Sequence, residues 1–272
     1  SPEYDAFLQA KAEKQKEVDR WVEERRVEIE HELRSRVADY LFFIASSLPQ
    51  YRKGKTSLQG KRGALRPAAV QRWQQYLLDP DASSNPAWNL LRQLAQVEPK
   101  VFAEESLKII EALEHDYEAE TAKEGAAANK LPTPLLDALK EARPETFPDA
   151  ARVLGEQLEA VYAKWDEASK ADSAIERLDD DADEAFRQLL WSPGSPTTLD
   201  AAQTVRHLDQ GERNEYNRKV AGVNRVEATH PGAPPRGMIL EDKNEPVEPV
   251  IFRRGIPSNR GDQVPRRFLQ VL

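Results

Sequence analysis

The chain is 272 residues long, 39% apolar and 32% charged, with 39 basic against 47 acidic side chains and a net charge of −8. That balance disfavours a general nucleic-acid binder, which needs a basic surface for phosphates, and the lack of cysteine excludes disulfides, thiolate metal sites, cysteine nucleophiles and covalent haem attachment within these residues. No apolar run of about 18 residues is present to span a membrane, no leader pattern opens these residues, and a mean hydropathy of −0.71 describes a wet, charge-rich chain rather than a core-heavy enzyme.

From Tyr4 to Ser46 there is neither glycine nor proline, which predicts one long helix of about 60 Å at 1.5 Å per residue. Its apolar positions Val18, Trp21, Val22, Ile29, Leu33, Val37, Tyr40, Leu41 and Ile44 recur at helical spacing and define one buried stripe. Residues 1–36 carry 18 well-mixed charges, and Glu30–Arg34 and Glu32–Arg36 stand in the favourable i,i+4 order. Between Leu8 and Val18 the stripe fades. The helix there either projects as a coiled-coil arm or leans on a bundle.

Pro49, Gly54, Gly60 and Gly63 break the pattern, and Tyr51 to Leu78 holds seven basic residues and no acidic one. Lys61, Arg62 and Arg66 are therefore a candidate polyanion patch; the alternative is a solvated loop that neutralises acidic helices such as the stretch around Asp179–Glu184. Proline-led helices follow: from Pro67, from Asn85-Pro86 as cap and first position, from Phe102 to about Tyr117, from Thr133-Pro134 through Leu139, and from Pro148 along Leu154, Leu158, Val161 and Trp165. Asp183–Trp191 reads as a short helix. Asp209 and Glu212 fit a capping box that opens a helix to about Val226.

From Thr229 onwards seven of the 19 prolines fall within 44 residues, and short apolar runs replace the helical period. Gly237–Glu241 and Val250–Arg253 predict a small β-hairpin, with Pro246 and Pro249 confining the second strand to an edge. The apolar ending Phe268-Leu269-Gln270-Val271-Leu272 reads as the lead into another element of a longer protein. The expected fold is mainly α: a long helix or coiled-coil arm (1–50), a basic loop (51–66), a helical bundle (67–228), and a proline-rich hairpin and extended tail (229–272).

Catalytic patterns are weak. Glu111 and His115 share an i,i+4 face but lack a second histidine, the Asp179–Asp183 run lacks the spacing of a calcium loop, and no metal ligand set is assigned. The acidic pairs lie in polar runs, whereas a general acid needs an apolar pocket. No catalytic residue is named. Trp191, before a Pro-Gly loop, is the tryptophan to test for sugar stacking. The densest polar cluster is in the tail, where Arg236, Asp242, Arg253, Arg254, Arg260 and Asp262 form a candidate interdomain joint or anion site.

The stretch His230 to Asp242 (HPGAPPRGMILED) resembles part of the planctomycete-type exported proteins that combine a cytochrome c-like domain with two planctomycete-specific domains of unknown function. Glu248–Gly255 (EPVIFRRG), Gly261–Leu269 (GDQVPRRFL), Leu33–Leu41 (LRSRVADYL) and Arg72–Leu77 (RWQQYL) are similar to the same proteins, in matching order. The resemblance implies the helical region between the two specific domains, an exported or periplasmic location, and haem only elsewhere in the parent protein, since the Cys-x-x-Cys-His motif is not in this chain. It implies a structural and interaction module whose partners are the flanking domains and other exported proteins. The alternative is an enzyme part or ligand-binding site for polysaccharide or anion, completed by a flanking domain through the tail.

Overall fold

In a computed structural model the chain is described over residues 1–52, 58–79, 85–121, 133–192, 194–235, 249–255 and 257–264, with backbone alone at 78, 114–121 and 133. The long N-terminal helix is two helices. Helix α1 (Pro2–Ser35) starts on Ser1, whose hydroxyl accepts from the Tyr4 N–H, and stops at Arg36, where φ is −130° and ψ 24°. Helix α2 (Val37–Ser47) follows at once. The break has no glycine or proline because its cause is tertiary. In a continuous helix the Asp39 N–H would bond the Ser35 carbonyl. Here it bonds Arg36 instead, and the Ser35 carbonyl accepts from Arg62 Nη1 (2.6 Å). The Ala38 N–H, likewise diverted, donates to Glu159 Oε1 (2.8 Å).

Beyond the break α2 buries Val37, Ala38, Tyr40, Leu41, Ile44 and Ala45 and forms the centre of the body. A strand pair, β1 (Gln59–Gly60) and β2 (Gly63–Ala64), lies inside the basic loop and turns through Lys61-Arg62. Helices α3 (Pro67–Leu78) and α4 (Pro86–Ala95) bring Trp73, Tyr76 and Trp88 into a buried edge-to-face cluster with ring centroids 5.6–6.2 Å apart. After α5 (Phe102–Thr121) and α6 (Thr133–Ala142), helix α7 (Phe147–Ala171), capped by the Thr146 hydroxyl, lies along α2. The two approach so closely that a Cβ on Gly155 would sit 2.3 Å from Ala38 Cα.

Helix α8 (Asp181–Trp191) is followed by α9 (Ala201–His207) and α10 (Gln210–Thr229), each opened by a complete capping box: Asp200 with Gln203, and Asp209 with Glu212. Helix α10 runs antiparallel to α1. Trp21 meets Tyr216 (ring centroids 6.3 Å), Lys11 pairs with Glu227 (2.5 Å), and Phe7 meets His230 (5.8 Å). The first helix thus pairs within its own chain, as one half of a two-helix arm. At the tip, Gly232 lies on the start of α1: a Cβ there would fall 1.9 Å from the Glu3 carbonyl oxygen.

The small C-terminal hairpin is present with a different partner strand. Strand β3 (Val250–Phe252) pairs antiparallel with β4 (Arg260–Gln263), in register Val250 to Gln263 and Phe252 to Arg260. The expected partner, Gly237–Glu241, lies outside the described residues. β4 reads as polar loop in sequence because its Arg-Gly-Asp-Gln has no alternation to betray a strand. Between the strands Arg254 and Gly255 take left-handed backbone angles, φ 59° and 72°.

Glycine replacements at two helical sites separate close approach from open space. Gly155→Ala puts a methyl against backbone that has no side chain to swing aside, and should lower stability by about 1–3 kcal/mol in urea unfolding. Gly222→Ala, in α10 with nothing within 4 Å of the new Cβ, should raise it by about 0.5–1 kcal/mol through helix propensity.

Candidate functional site

Where α1, α2, the β1–β2 hairpin and α7 converge, charge is held inside the protein. The Asp39 carboxylate is buried and accepts from the backbone N–H groups of Lys61 (3.1 Å) and Arg62 (3.4 Å) at the hairpin turn. Gly60 permits that approach, since a Cβ there would lie 2.7 Å from the carboxylate. Arg36 donates to the Gly63 and Ala64 carbonyls and so clamps β2 to the end of α1. Arg62 Nη2 closes the group by pairing with Glu159. Burial pushes the Glu159 carboxyl above its ordinary range, and the hydrogen bonds from Arg62 and the Ala38 N–H offset only part of that.

One step along, Arg66 ties the arm to the body. Its guanidinium donates to Glu32 on α1 (2.7 Å), Glu212 on α10 (2.8 Å) and the His207 carbonyl (2.8 Å). Its backbone N–H donates to the Tyr40 hydroxyl (3.2 Å). Burial disfavours the Arg66 charge, but the bonds it donates to Glu212 and Glu32 hold its pKa above the ordinary value. Burial pushes the Tyr40 hydroxyl up to about 12.

A third set fixes the loop between α8 and α9. Glu30, buried on α1, accepts from the Leu199 N–H (2.7 Å) and pairs with Arg26 and Arg34. Arg72 Nη2 donates to the Ser195 and Thr198 carbonyls at 2.9 and 2.8 Å. Arg34 lies 4.1 Å from the Trp191 ring centroid, while Tyr162 and Trp165 meet the same ring at 5.8 and 5.7 Å. The Trp191 face is thereby occupied by a guanidinium, in the place where a sugar would stack. On α8, Glu184 is held at about 2 by Arg187, with further bonds from the Leu178 N–H and Gln188.

Of the residues singled out in sequence, Arg62 and Arg66 bind carboxylates of the same chain, and Lys61 extends an exposed side chain from the turn. Among the described residues, Lys61, Arg62 and Arg66 find their acidic partners in Asp39, Glu159, Glu32 and Glu212 rather than in the Asp179–Glu184 stretch. Arg236 and Asp242 lie outside the described residues. Arg253, Arg254, Arg260 and Asp262 share the β3–β4 hairpin, all exposed and without ion-pair partners among the described residues. The His115 side chain is also outside the described set, and among the described residues no three His, Cys, Asp or Glu side chains converge as metal ligands. No described helix is long and apolar enough to cross a membrane.

The pairs Glu30–Arg34 and Glu32–Arg36 are present as the sequence predicts, but sequence reading missed Asp39, Glu159 and Arg72, the Leu199 N–H as a partner of Glu30, and Glu32 and Glu212 as partners of Arg66. A signal existed for one of them: Asp39 interrupts the apolar run Val37–Leu41, and a charge inside such a run has to find a buried partner. Between α2, α4 and α7, an apolar cavity of about 30 Å³ is lined by residues including Leu41, Ile44, Leu91 and Phe147. It has room for about two waters, and apart from Arg92 its lining side chains are hydrocarbon.

The chemistry of this arrangement is the fastening of helices. Arg66→Ala leaves Glu212 without its cation and Glu32 with Arg36 alone, and should cost about 3–5 kcal/mol of stability in urea unfolding. Lys61→Ala, which keeps the backbone N–H, should stay within about 0.5 kcal/mol. The pH dependence has two opposite arms. Glu184, with its folded pKa depressed, stabilises fully above its ordinary value of 4.5 and loses that contribution as pH falls towards 2. Glu184→Gln should therefore flatten the acid limb of a plot of urea midpoint against pH. Glu159, with its folded pKa raised, contributes most below 4.5 and loses that as pH rises through its folded pKa. Glu159→Gln should remove this decline.

Comparison with protein-family models, with curated proteins and with solved structures finds no match to the chain.

Proposed function

We propose that the chain is a structural and interaction module that spaces and docks the domains beside it in an exported, cytochrome-associated protein, without chemistry of its own. The observation that carries this reading is the arm. Its two helices come from opposite ends of the helical region, and a single guanidinium, Arg66, fastens both to the body through Glu32 and Glu212. A lever fixed at its root by charge-assisted hydrogen bonds holds whatever adjoins its tip at a set distance. The resemblance to planctomycete-type exported proteins supports the same role, since it implies haem chemistry in a neighbouring domain and a location outside the cytoplasm.

The test is amine-reactive cross-linking of the intact parent protein, kept dilute so that links form within one molecule. Lys14 and Lys16 stand exposed on the arm. They should link to lysines of the domains on either side of residues 1–272. A parent protein in which both lysines link only within 1–272 overturns the proposal.

A further inference from the structure

The hairpin and the arm tip are two exposed patches of opposite character. On the hairpin, Ile251, Phe252 and Val264 are 55%, 46% and 40% exposed, and Arg253, Arg254 and Arg260 stand among them against one acid, Asp262. Of its described residues only Val250 and Gly261 are even half-buried. A pair of strands this short is marginal in water without a covering surface. Its mixture of aromatic, aliphatic and arginine side chains is that of protein interface cores. A sulfated glycan would satisfy the arginines and leave the apolar side chains in water.

The arm tip supplies the complement. Tyr4 and Leu8, 43% and 44% exposed, are neighbours at i,i+4 on α1, flanked by the exposed carboxylates of Glu3 and Asp5. Neither acid has an ion-pair partner among the described residues. Within a single chain both patches remain open, so they do not cover one another.

We propose that the β3–β4 hairpin of one copy docks on the arm tip of a second copy, with Ile251 and Phe252 against Tyr4 and Leu8 and the hairpin arginines on Glu3 and Asp5. The contact joins two different patches, so it is heterologous: each bound copy still presents a free hairpin or a free tip, and assemblies grow head to tail until they close. It goes beyond the spacing role, because it needs only this chain and not its neighbours.

Sedimentation equilibrium of the chain alone, over a hundredfold range of concentration at low and at high salt, reads the association. The weight-average mass should rise with concentration at low salt to at least about double the 30.8 kDa monomer, and return towards the monomer at high salt as the ion pairs are screened. Two charge reversals test the pairing itself. The triple variant R253E/R254E/R260E sets an acidic hairpin against an acidic tip, and E3K/D5K sets a basic hairpin against a basic tip. Each alone should be monomeric, with wild-type circular dichroism, while an equimolar mixture of the two should associate. A wild-type chain that stays monomeric at every concentration at low salt overturns the proposal, as does association that survives either reversal alone or a mixture that stays monomeric.

Discussion

The bond from the Ala38 N–H to Glu159 decides where the first helix ends, and much of the architecture follows from that ending. Once the Ala38 donor and the Ser35 acceptor are taken by Glu159 and Arg62, the chain has a corner without a helix-breaking residue. The corner separates a solvated arm from a buried central helix. It turns Asp39 towards the β1–β2 hairpin and lets α7 close on α2 at Gly155. Lengthening α1 by one more hydrogen bond would leave the buried Glu159 carboxylate with one donor fewer, which is costly in a low dielectric.

Stability and specificity are divided between two kinds of contact. The apolar cluster of α2, α3, α4 and α7 supplies the driving force, since buried hydrocarbon area is the main favourable term in folding. The half-buried charges contribute little net free energy against hydrophobic replacements of the same shape, because desolvation offsets attraction. What they supply is register. Arg66 is satisfied only when α1, α10 and the end of α9 stand at one setting, and Arg72 only when the 195–198 backbone folds back on α3. A slip of one helical turn would strand a charge.

This division also explains what was legible in the sequence. Asn85, Asp209 with Glu212, and the proline-led starts place helices by local chemistry, and the structure has helices there. The break at Arg36 has no local signal, because its causes lie 26 and 123 residues away in Arg62 and Glu159. Helix α9 has seven residues, too few for a periodicity, although its Asp200–Gln203 capping box was there to be read. Lys61, Arg62 and Arg66 stand out as a local excess of charge. Their roles depend on carboxylates brought in by the fold, and composition counts charges without pairing them.

The antiparallel arm brings residues 3 and 232 into contact at one end while more than two hundred residues fold between them. Tension applied across these two points would act at right angles to the helix axes and peel α1 from α10 one contact at a time, from Phe7 and His230 inward through Lys11 and Glu227 towards Trp21 and Tyr216. Unzipping loads bonds singly, whereas shear loads them together. The arm is thus stiff as a strut under compression and compliant under tension at its tip, and the first firm resistance to peeling is the Arg66 clasp at its root.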